Sequence, residues 1–531
     1  MTDTATVDTV EADGNTRLSL VLAMAMFVLV VDTSLMNVSI AAVVRDLDTT
    51  VSGVQSAIAL EALVSAAFIL VSSKIGDLIG RKRAYVLGLM AYAIGALAMT
   101  LAQGLAAVVI FWAIIGGLGA SLLLPAMQSL IHGNFEGAAQ KKTYALVGAA
   151  AAIAAAVGPL RGGFLTTYVS WRVGFLLEVV VIAVVLSQIA LVKDVPYTGD
   201  RDVDVVGAVL SVLGMGGVVL GILVWQEGGE FVGLLIAVGA AALWALARWL
   251  VRRHREGKVT VLDPDLFRLP HFRLGISSQA LQNVTLGGAM IALPIFLQIK
   301  LEYSAMQTGL SLAPLSLTMF ATAILAGRKA GKRRPAKIIR KGFALSTLGM
   351  ALIVPIVPKA DSGWYLLLPL VVTGAGLGLL VSQLNNYTLA PIDEERVSEA
   401  AGVNSASGSF GLSFGLAVAG GLLLATLSLA FTNLTNESKV IPAFKQERIA
   451  DTLEHDAQVM SKGQLEQEIG AERPAVKKEV LSINTRATNL SLQVALLIPI
   501  LAGLLGLFSS FRMIRLTDIE PATSLDTAAL T

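Results

Sequence analysis

An aspartate stands near the middle of the first long apolar stretch of this sequence. Asp32 lies in FVLVVDTSLMNV, about halfway along a run from Leu18 to Val43 that contains no other charged residue. A carboxylate at the centre of a bilayer costs at least about 2.5–3.5 kcal/mol, and charged residues that are kept there mark ion, proton and substrate pathways. Asp32 is therefore the first candidate for chemistry in this chain.

Three more charged residues interrupt apolar stretches in the N-terminal half, namely Glu61, Arg161 and Glu178. Burial disfavours an ionised carboxylate and a nearby cation favours it, so the combination can poise a carboxyl group to exchange a proton. We therefore expect Asp32 or Glu61 to bind a transported proton with Arg161 as partner; the alternative is a structural ion pair between Glu61 and Arg161. Glu178 follows closely on the short loop that ends with Arg172, which predicts an outer-rim position paired with that arginine.

The composition predicts a membrane protein of the all-α class. Hydrophobic residues make up 55% of the 531 residues and charged residues only 15%, against about a quarter in soluble proteins. Fourteen apolar stretches reach the roughly 20 residues that a spanning helix needs. Backbone groups in lipid must be satisfied internally, so unbroken apolar runs indicate helices. The stretches begin near Leu18, Val51, Ala84, Ala106, Thr143, Val173, Val205, Phe231, Leu274, Ser304, Ala336, Trp364, Ala400 and Leu490.

Basic residues are concentrated in the even-numbered loops. Arg81, Lys82 and Arg83 follow the second stretch, and two larger basic groups lie within 248–258 and 328–341. Short loops rich in Lys and Arg stay in the cytoplasm. The distribution therefore predicts that both termini are cytoplasmic. The net charge of only +2 says little about partners, and no nucleic-acid partner is expected; the lack of Cys excludes thiol catalysis and cysteine-based metal sites.

The loop after the second stretch, SSKIGDLIGRKRAY, resembles the signature G-x-L-a-D-r-x-G-R-R/K of the major facilitator superfamily. Asp77, Gly80, Arg81 and Lys82 match that signature. The glycine permits a tight turn at the membrane face, while Asp77 can pair with basic residues and latch neighbouring helices.

Two further motifs resemble the fourteen-helix drug:proton antiporters of that superfamily. VDTSLMNVSIA in the first stretch resembles their L-D-x-T-x-V-N-V-A-L-P motif at Asp32, Ser34 (for Thr), Asn37 and Val38, with Ala41 in place of Pro. AVGPLRGGFL in the fifth contains the antiporter motif G-P-x-x-G-G. Glycines at this spacing let neighbouring helices approach closely. The matching residues of the antiporter motif are Gly158, Pro159, Gly162 and Gly163.

The resemblance implies a major facilitator fold with two six-helix bundles and two inserted helices. It implies a secondary transporter that exports drugs or amphipathic hydrophobic compounds in exchange for protons. The proton gradient would supply the energy, and no cofactor would be needed. The protein is expected to be a monomer in a bacterial plasma membrane. The expected organisation is as follows: 1–16 disordered cytoplasmic tail, 17–196 N-terminal bundle, 205–252 inserted helices, 259–272 interfacial cytoplasmic segment, 273–515 C-terminal bundle, and 516–531 cytoplasmic tail. Residues 432–486 form a long extracytoplasmic loop, either a structural cap or a gate over the exit.

The chain departs from its family at the fourth stretch. Similar sequences carry an arginine there that is commonly given a part in proton coupling, but this chain has Ala113 at that position. The resemblance together with this departure suggests that Arg161 substitutes for the missing arginine.

Polar residues within otherwise apolar stretches indicate a substrate path. Any one of them is better explained by a hydrogen bond between helices, which contributes roughly 0.6 kcal/mol. As a group they predict a cavity. The candidates are Asn37, Ser39, Ser65, Trp112, Gln128, Gln279, Gln282, Asn283, Gln383, Asn385 and Asn386.

Two other functions stay open from the sequence, and enzymatic activity is not expected. A dedicated exporter or flippase of one lipid or metabolite is favoured by the unusual Arg161, and a non-transporting scaffold or sensor by the missing arginine of the fourth stretch. The sequence contains no G-x-x-x-x-G-K-[ST] motif for nucleotide binding and no grouping of its four His residues.

Overall fold

The structure is a computed structural model that describes residues 4–135, 137–194, 204–226, 230–327, 334–392, 396–442, 446, 465 and 473–517. Fourteen long helices account for most of these residues. They are α1 (Thr4–Asp46), α2 (Val51–Ile79), α3 (Arg81–Thr100), α4 (Leu105–Asn134), α5 (Gly137–Tyr168), α6 (Trp171–Ser187), α7 (Val205–Gln226), α8 (Val232–Arg255), α9 (Pro270–Lys300), α10 (Ala305–Gly327), α11 (Pro335–Ile353), α12 (Leu367–Leu389), α13 (Val397–Asn436) and α14 (Pro474–Arg515).

Each predicted apolar stretch corresponds to one of these helices. Among the described residues, twelve helices are long and apolar enough to cross a membrane by length and composition. The other two, α6 and α11, pack within the bundles, α6 against α1 and α3 and α11 against α12 and α14. The all-α class and the fourteen-helix architecture are therefore confirmed.

The helices form two bundles with a hairpin between them. In the N-terminal bundle, α1 packs on α5 and α3 on α4; in the C-terminal bundle, α9 packs on α13 and α11 on α12. The inserted helices α7 and α8 pack on each other, and α7 also contacts α2 and α13. One helix of each bundle thus lies against the inserted hairpin.

Two seams join the bundles, one between α2 and α13 and the other between α5 and α10. Glycines shape the second seam. A Cβ on Gly163 would lie 2.5 Å from the backbone oxygen of Ala305, and one on Gly309 would lie 2.1 Å from the backbone oxygen of Pro159. Only glycine fits where two backbones approach this closely.

One end of the molecule, which we call the Gln298 end, is closed by polar contacts between the bundles. The side chain of Gln298 on α9 accepts a hydrogen bond from the Ala41 N–H at 3.0 Å and donates one to the Val38 carbonyl at 3.2 Å. The Met306 N–H donates to the hydroxyl of Thr167 at 2.9 Å. The opposite end carries the loop between α2 and α3 and is called the Asp77 end.

Helical structure extends further than expected at two places. Helix α1 begins at Thr4, within the segment expected to be a disordered tail. Once a helix exists, each added residue gains a hydrogen bond, so a polar flank can continue it. Helices α13 and α14 likewise extend into the segment 432–486, where Ile441, Leu465 and Val480 form a small apolar cluster with Phe431 just before the segment. Residues 1–3, 518–531 and most of 443–472 lie outside the described chain.

The segment predicted to be interfacial, 259–272, begins irregularly and contains a 3₁₀ turn at Pro264–Arg268. The buried carboxylate of Asp204, just before α7, accepts hydrogen bonds from the Trp249 indole at 2.8 Å and from the Val261 N–H at 3.2 Å. Asp263 forms an ion pair with Arg396, just before α13. The segment thus connects the inserted hairpin to the C-terminal bundle.

Candidate functional site

A cavity of about 380 Å³ lies between the two bundles. Helices α1, α2, α4 and α5 line it from one bundle and α9, α10 and α13 from the other. Most of the wall is apolar and includes Met26, Met290 and Met319. The side chain of methionine adapts to ligands of different shape. Glu61 is the one charged residue among the described residues of the wall.

Asp32 lies next to this cavity but not in its wall. The carboxylate is 1% exposed and turns toward α3 and α4. The Tyr92 hydroxyl donates a hydrogen bond to Oδ2, and the Trp112 indole N–H lies 2.9 Å from Oδ1 and 2.8 Å from Oδ2. Hydrogen bonds to a carboxylate favour its ionised form. The two aromatic donors therefore favour the ionised form of Asp32 against its burial, while its neighbour Thr33 lines the cavity.

Arg161 approaches the same region from α5. Its Nη2 donates to the Gly174 carbonyl at 3.3 Å, and its guanidinium attracts both Asp32 and Glu178 electrostatically. Gly174 and Glu178 are four residues apart on α6, so they lie on one face about 6 Å apart along the axis. Arg161 therefore bonds α6 about one turn before Glu178 and interacts electrostatically with the carboxyl groups of α1 and α6.

Glu178 does not occupy the predicted outer rim, which is a correction to the sequence interpretation. It is 1% exposed, and neither carboxyl oxygen has a hydrogen-bond partner among the described residues. Arg172 instead pairs with Asp46, at the end of α1, and donates to the Ala102 carbonyl at 2.5 Å. The physical reason is the rise of the helix. Glu178 lies about two turns after Trp171, which places it roughly 10 Å along α6 from the end that carries Arg172.

Two buried carboxyl groups, Asp32 and Glu178, thus share the guanidinium of Arg161, and a third, Glu61, joins them through Asp32. We call Asp32, Glu61 and Glu178 the acidic cluster; Glu61 is 8% exposed and interacts electrostatically with Asp32. One cation balances one anion, and a second or third uncompensated charge in this environment is very costly. The arrangement therefore requires that some of these groups carry protons, which is the chemistry that proton exchange needs.

The polar candidates for the substrate path divide into two groups. Asn37, Ser65 and Asn283 line the cavity. Ser39 instead pairs with Thr166 at 2.7 Å between α1 and α5, a contact within one bundle. The remaining candidates are also absent from the described wall, namely Trp112, Gln128, Gln279, Gln282, Gln383, Asn385 and Asn386.

The loop motif between α2 and α3 occupies a position that suits its chemistry. Asp77 forms an ion pair with Arg81, and Gly80 has a positive φ of 102° that a side chain would strain. The Lys82 N–H donates to the Asp194 carboxylate at 3.0 Å, so the segment after α6 caps α3. The contacts of this loop therefore include Asp194, an acid that sequence analysis did not identify.

The antiporter motif brings α5 against α1 and α10. A Cβ on Gly158 would lie 2.5 Å from the Cβ of Ser34, and one on Gly162 would lie 3.0 Å from the Cα of Leu35. These glycines let α5 pack closely on the helix that carries Asp32. Gly163, on the next position, serves the contact with α10 described above.

Sequence reasoning did not identify Tyr92 or Gln298. Tyr92 is 3% exposed, and its only signal in the sequence is a phenolic hydroxyl within an apolar stretch. Gln298 stands near the end of α9 in a π-helical turn at Phe296–Lys300, where an extra residue redirects side chains. Both side chains form hydrogen bonds with residues of α1 that are distant from them in sequence.

Comparison with known proteins agrees with this architecture. Residues 22–416 match the family model described as Major Facilitator Superfamily. The chain is 27% identical over 406 residues to the "Probable actinorhodin transporter" of Streptomyces coelicolor, covering 75% of this chain and 70% of that protein. It is also 27% identical over 409 residues to "Multidrug resistance protein Stp" of Mycobacterium tuberculosis, covering 76% and 75% of the two chains.

Solved structures show the same fold at low sequence identity. A bacterial homologue of the human lysosomal transporter Spinster, in an inward-facing and unoccupied conformation, aligns with a TM-score of 0.61 at 12% identity, covering 94% of this chain and 98% of that one. A D-xylose–proton symporter aligns with a TM-score of 0.55 at 13% identity, covering 76% and 89%. With two six-helix bundles around a central cavity and a family match over most of its length, the chain belongs to the major facilitator superfamily of membrane transporters.

Proposed function

We propose that this protein exports amphipathic, hydrophobic small molecules in exchange for protons. The observation that carries the proposal is the cavity between the bundles, whose apolar wall contains Glu61 and adjoins the acidic cluster. Such a cavity can take an apolar ligand, and the carboxyl groups beside it can take protons. Relatives named for multidrug resistance and for cephamycin export support export as the direction.

The size and chemistry of the cavity support a drug-sized substrate. Ligand sites of about 300–1,000 Å³ with mostly apolar walls and a few polar groups are typical for small molecules. Glu61, Asn37 and Asn283 supply the polar groups here. The ionised form of Glu61 would attract a cationic group on the substrate, whereas its protonated form would not. Competition between proton and substrate at Glu61 is therefore one route to exchange.

Asp32 and Arg161 supply the second part of the coupling scheme. Protonation of Asp32 would release its attraction for Arg161 and alter the contact between α1 and α5. Because α5 also packs on α10 of the other bundle, that change would reach the seam between the bundles. In this scheme Arg161 takes the place of the arginine that the family carries in the fourth span.

Alternating access would occur by rocking of the bundles about the central site. The basic loop at the Asp77 end supports a cytoplasmic location of that end, and the Gln298 end would then face outward. Hydrogen bonds between the bundles at the Gln298 end support an outward-closed state of the structure. Opening the exit would require that these bonds break.

A dedicated exporter of one metabolite is the second candidate. Relatives with a single named compound support it, among them the actinorhodin transporter and the "Cephamycin export protein CmcT" of Amycolatopsis lactamdurans, 28% identical over 404 residues. An acidic cluster with a half-buried arginine also suits one charged ligand better than a promiscuous apolar pocket.

Ethidium efflux from proteoliposomes with an imposed pH gradient tests the proposal. Gradient-dependent efflux that is lost in Asp32→Asn but kept in Glu256→Gln, an exposed acid far from the cluster in sequence, would support drug:proton antiport. Efflux whose rate does not depend on the imposed pH gradient would contradict proton coupling. No ethidium efflux, together with gradient-driven movement of one compound in a metabolite screen, would favour the dedicated exporter.

A further inference from the structure

Glu178 is the one member of the acidic cluster that the proposed scheme leaves without a task. It is 1% exposed, its oxygens have no hydrogen-bond donor among the described residues, and it is absent from the described cavity wall. Asp32, by contrast, receives two donors. The two carboxyl groups therefore differ sharply in how well their environment stabilises a negative charge.

A buried carboxyl group without donors is stable as the neutral acid, because an isolated buried carboxylate is very costly. The charged and titratable groups that act on it come from three other helices: Asp32 on α1, Tyr92 on α3 and Arg161 on α5. Glu61 on α2 acts on the same cluster through Asp32 and Tyr92. Arg161 is the one group of this set that favours ionisation of Glu178.

Arg161 can serve either carboxyl group. It is already bonded to the Gly174 carbonyl, one turn from Glu178, and it also attracts Asp32. With Asp32 ionised, Arg161 is balanced and Glu178 keeps its proton. With Asp32 protonated, Arg161 is left unbalanced unless Glu178 ionises. Both arrangements hold one proton and one ion pair, so the total charge of the three groups does not change.

We propose that Glu178 is a proton-binding site that exchanges one proton with Asp32, with Arg161 pairing with whichever of the two is ionised. Tyr92 is placed to assist, since its hydroxyl donates to Asp32 and is influenced by the charge of Glu178. Asp32 thereby takes a proton while Glu178 releases one, and no net charge is buried at either stage. The proposal rests on proton-coupled transport as the function of the protein.

Infrared difference spectroscopy of the purified protein reads the protonation of Glu178 without transport. At neutral pH we expect a C=O band of a carboxylic acid that is free of hydrogen bonds. The band should disappear in Glu178→Gln, because an amide lacks it. It should also disappear in Asp32→Asn, because Arg161 then lacks an anion and Glu178 ionises to pair with it. Glu256→Gln is the matched control and should keep the band.

Transport assays of Glu178→Gln separate proton coupling from the binding and movement of the substrate. Ethidium exchange without a gradient should persist, while efflux driven by a pH gradient should be lost; Glu178→Asp, which restores an acid, should recover gradient-driven efflux. A band that persists in Asp32→Asn would overturn the exchange and leave Glu178 a permanently neutral residue. Normal gradient-driven efflux in Glu178→Gln would overturn it as well. Failure of the wild type to couple efflux to protons would instead overturn the proposed function.

Discussion

Replacing Gln298 with leucine tests whether the polar contacts at the Gln298 end keep the two bundles together. The side chain makes two hydrogen bonds to α1, with the Ala41 N–H at 3.0 Å and the Val38 carbonyl at 3.2 Å, and it is 8% exposed. Leucine has nearly the same size but makes neither bond. Both bonds join the bundles, so they are present only while this end is closed.

The magnitude follows from the number of bonds lost. A typical hydrogen bond contributes about 0.5–1.5 kcal/mol, so two contribute about 1–3 kcal/mol. A change of that size corresponds to a shift of about 5–150-fold in an equilibrium between two states. We therefore expect Gln298→Leu to raise the fraction of molecules that are open at this end by that factor.

Distance measurements between spin labels provide the assay. The chain has no Cys, so labels can be placed at Arg45→Cys on α1 and at Lys359→Cys after α11 without background. Gln493→Leu is the matched control, because Gln493 donates to the Val354 carbonyl at 2.9 Å within one bundle. We expect a longer distance population in Gln298→Leu and none in Gln493→Leu. Identical distance distributions in Gln298→Leu and the wild type would refute the reasoning.

Three further outcomes are expected. Glu61→Gln should slow export of cationic ethidium more than export of a neutral dye of similar size, because the charge in the cavity wall is lost; equal effects on both dyes would contradict a substrate role. Gly309→Ala should lower the thermal unfolding temperature in detergent, since a Cβ there would lie 2.1 Å from the Pro159 oxygen and overpacking costs about 1–3 kcal/mol; an unchanged transition would argue against the close seam. Asp46→Asn should destabilise the protein by no more than about 1 kcal/mol, since its ion pair with Arg172 is partly exposed; calorimetry checks this.

The sequence alone was sufficient for the fold class and for the number of helices. A spanning helix must be apolar along its whole length, so hydropathy by itself locates it. The pairing of Asp77 with Arg81 was also predictable, because the two residues are four apart on one local segment. Asp32 was predictable as a candidate functional residue, because a charge in an apolar span is costly wherever the helix packs.

The tertiary structure decided which buried groups meet. Helical periodicity places residues on a face, but it does not say which neighbouring helix that face contacts. Glu178 was therefore assigned to Arg172, its neighbour in sequence, whereas the fold places it near Arg161 and Asp32. Trp112 was expected in the substrate path, whereas its indole bonds Asp32. The contacts of Tyr92 and Gln298 with α1 join residues 60 and about 260 positions apart, and only packing of the helices brings such residues together.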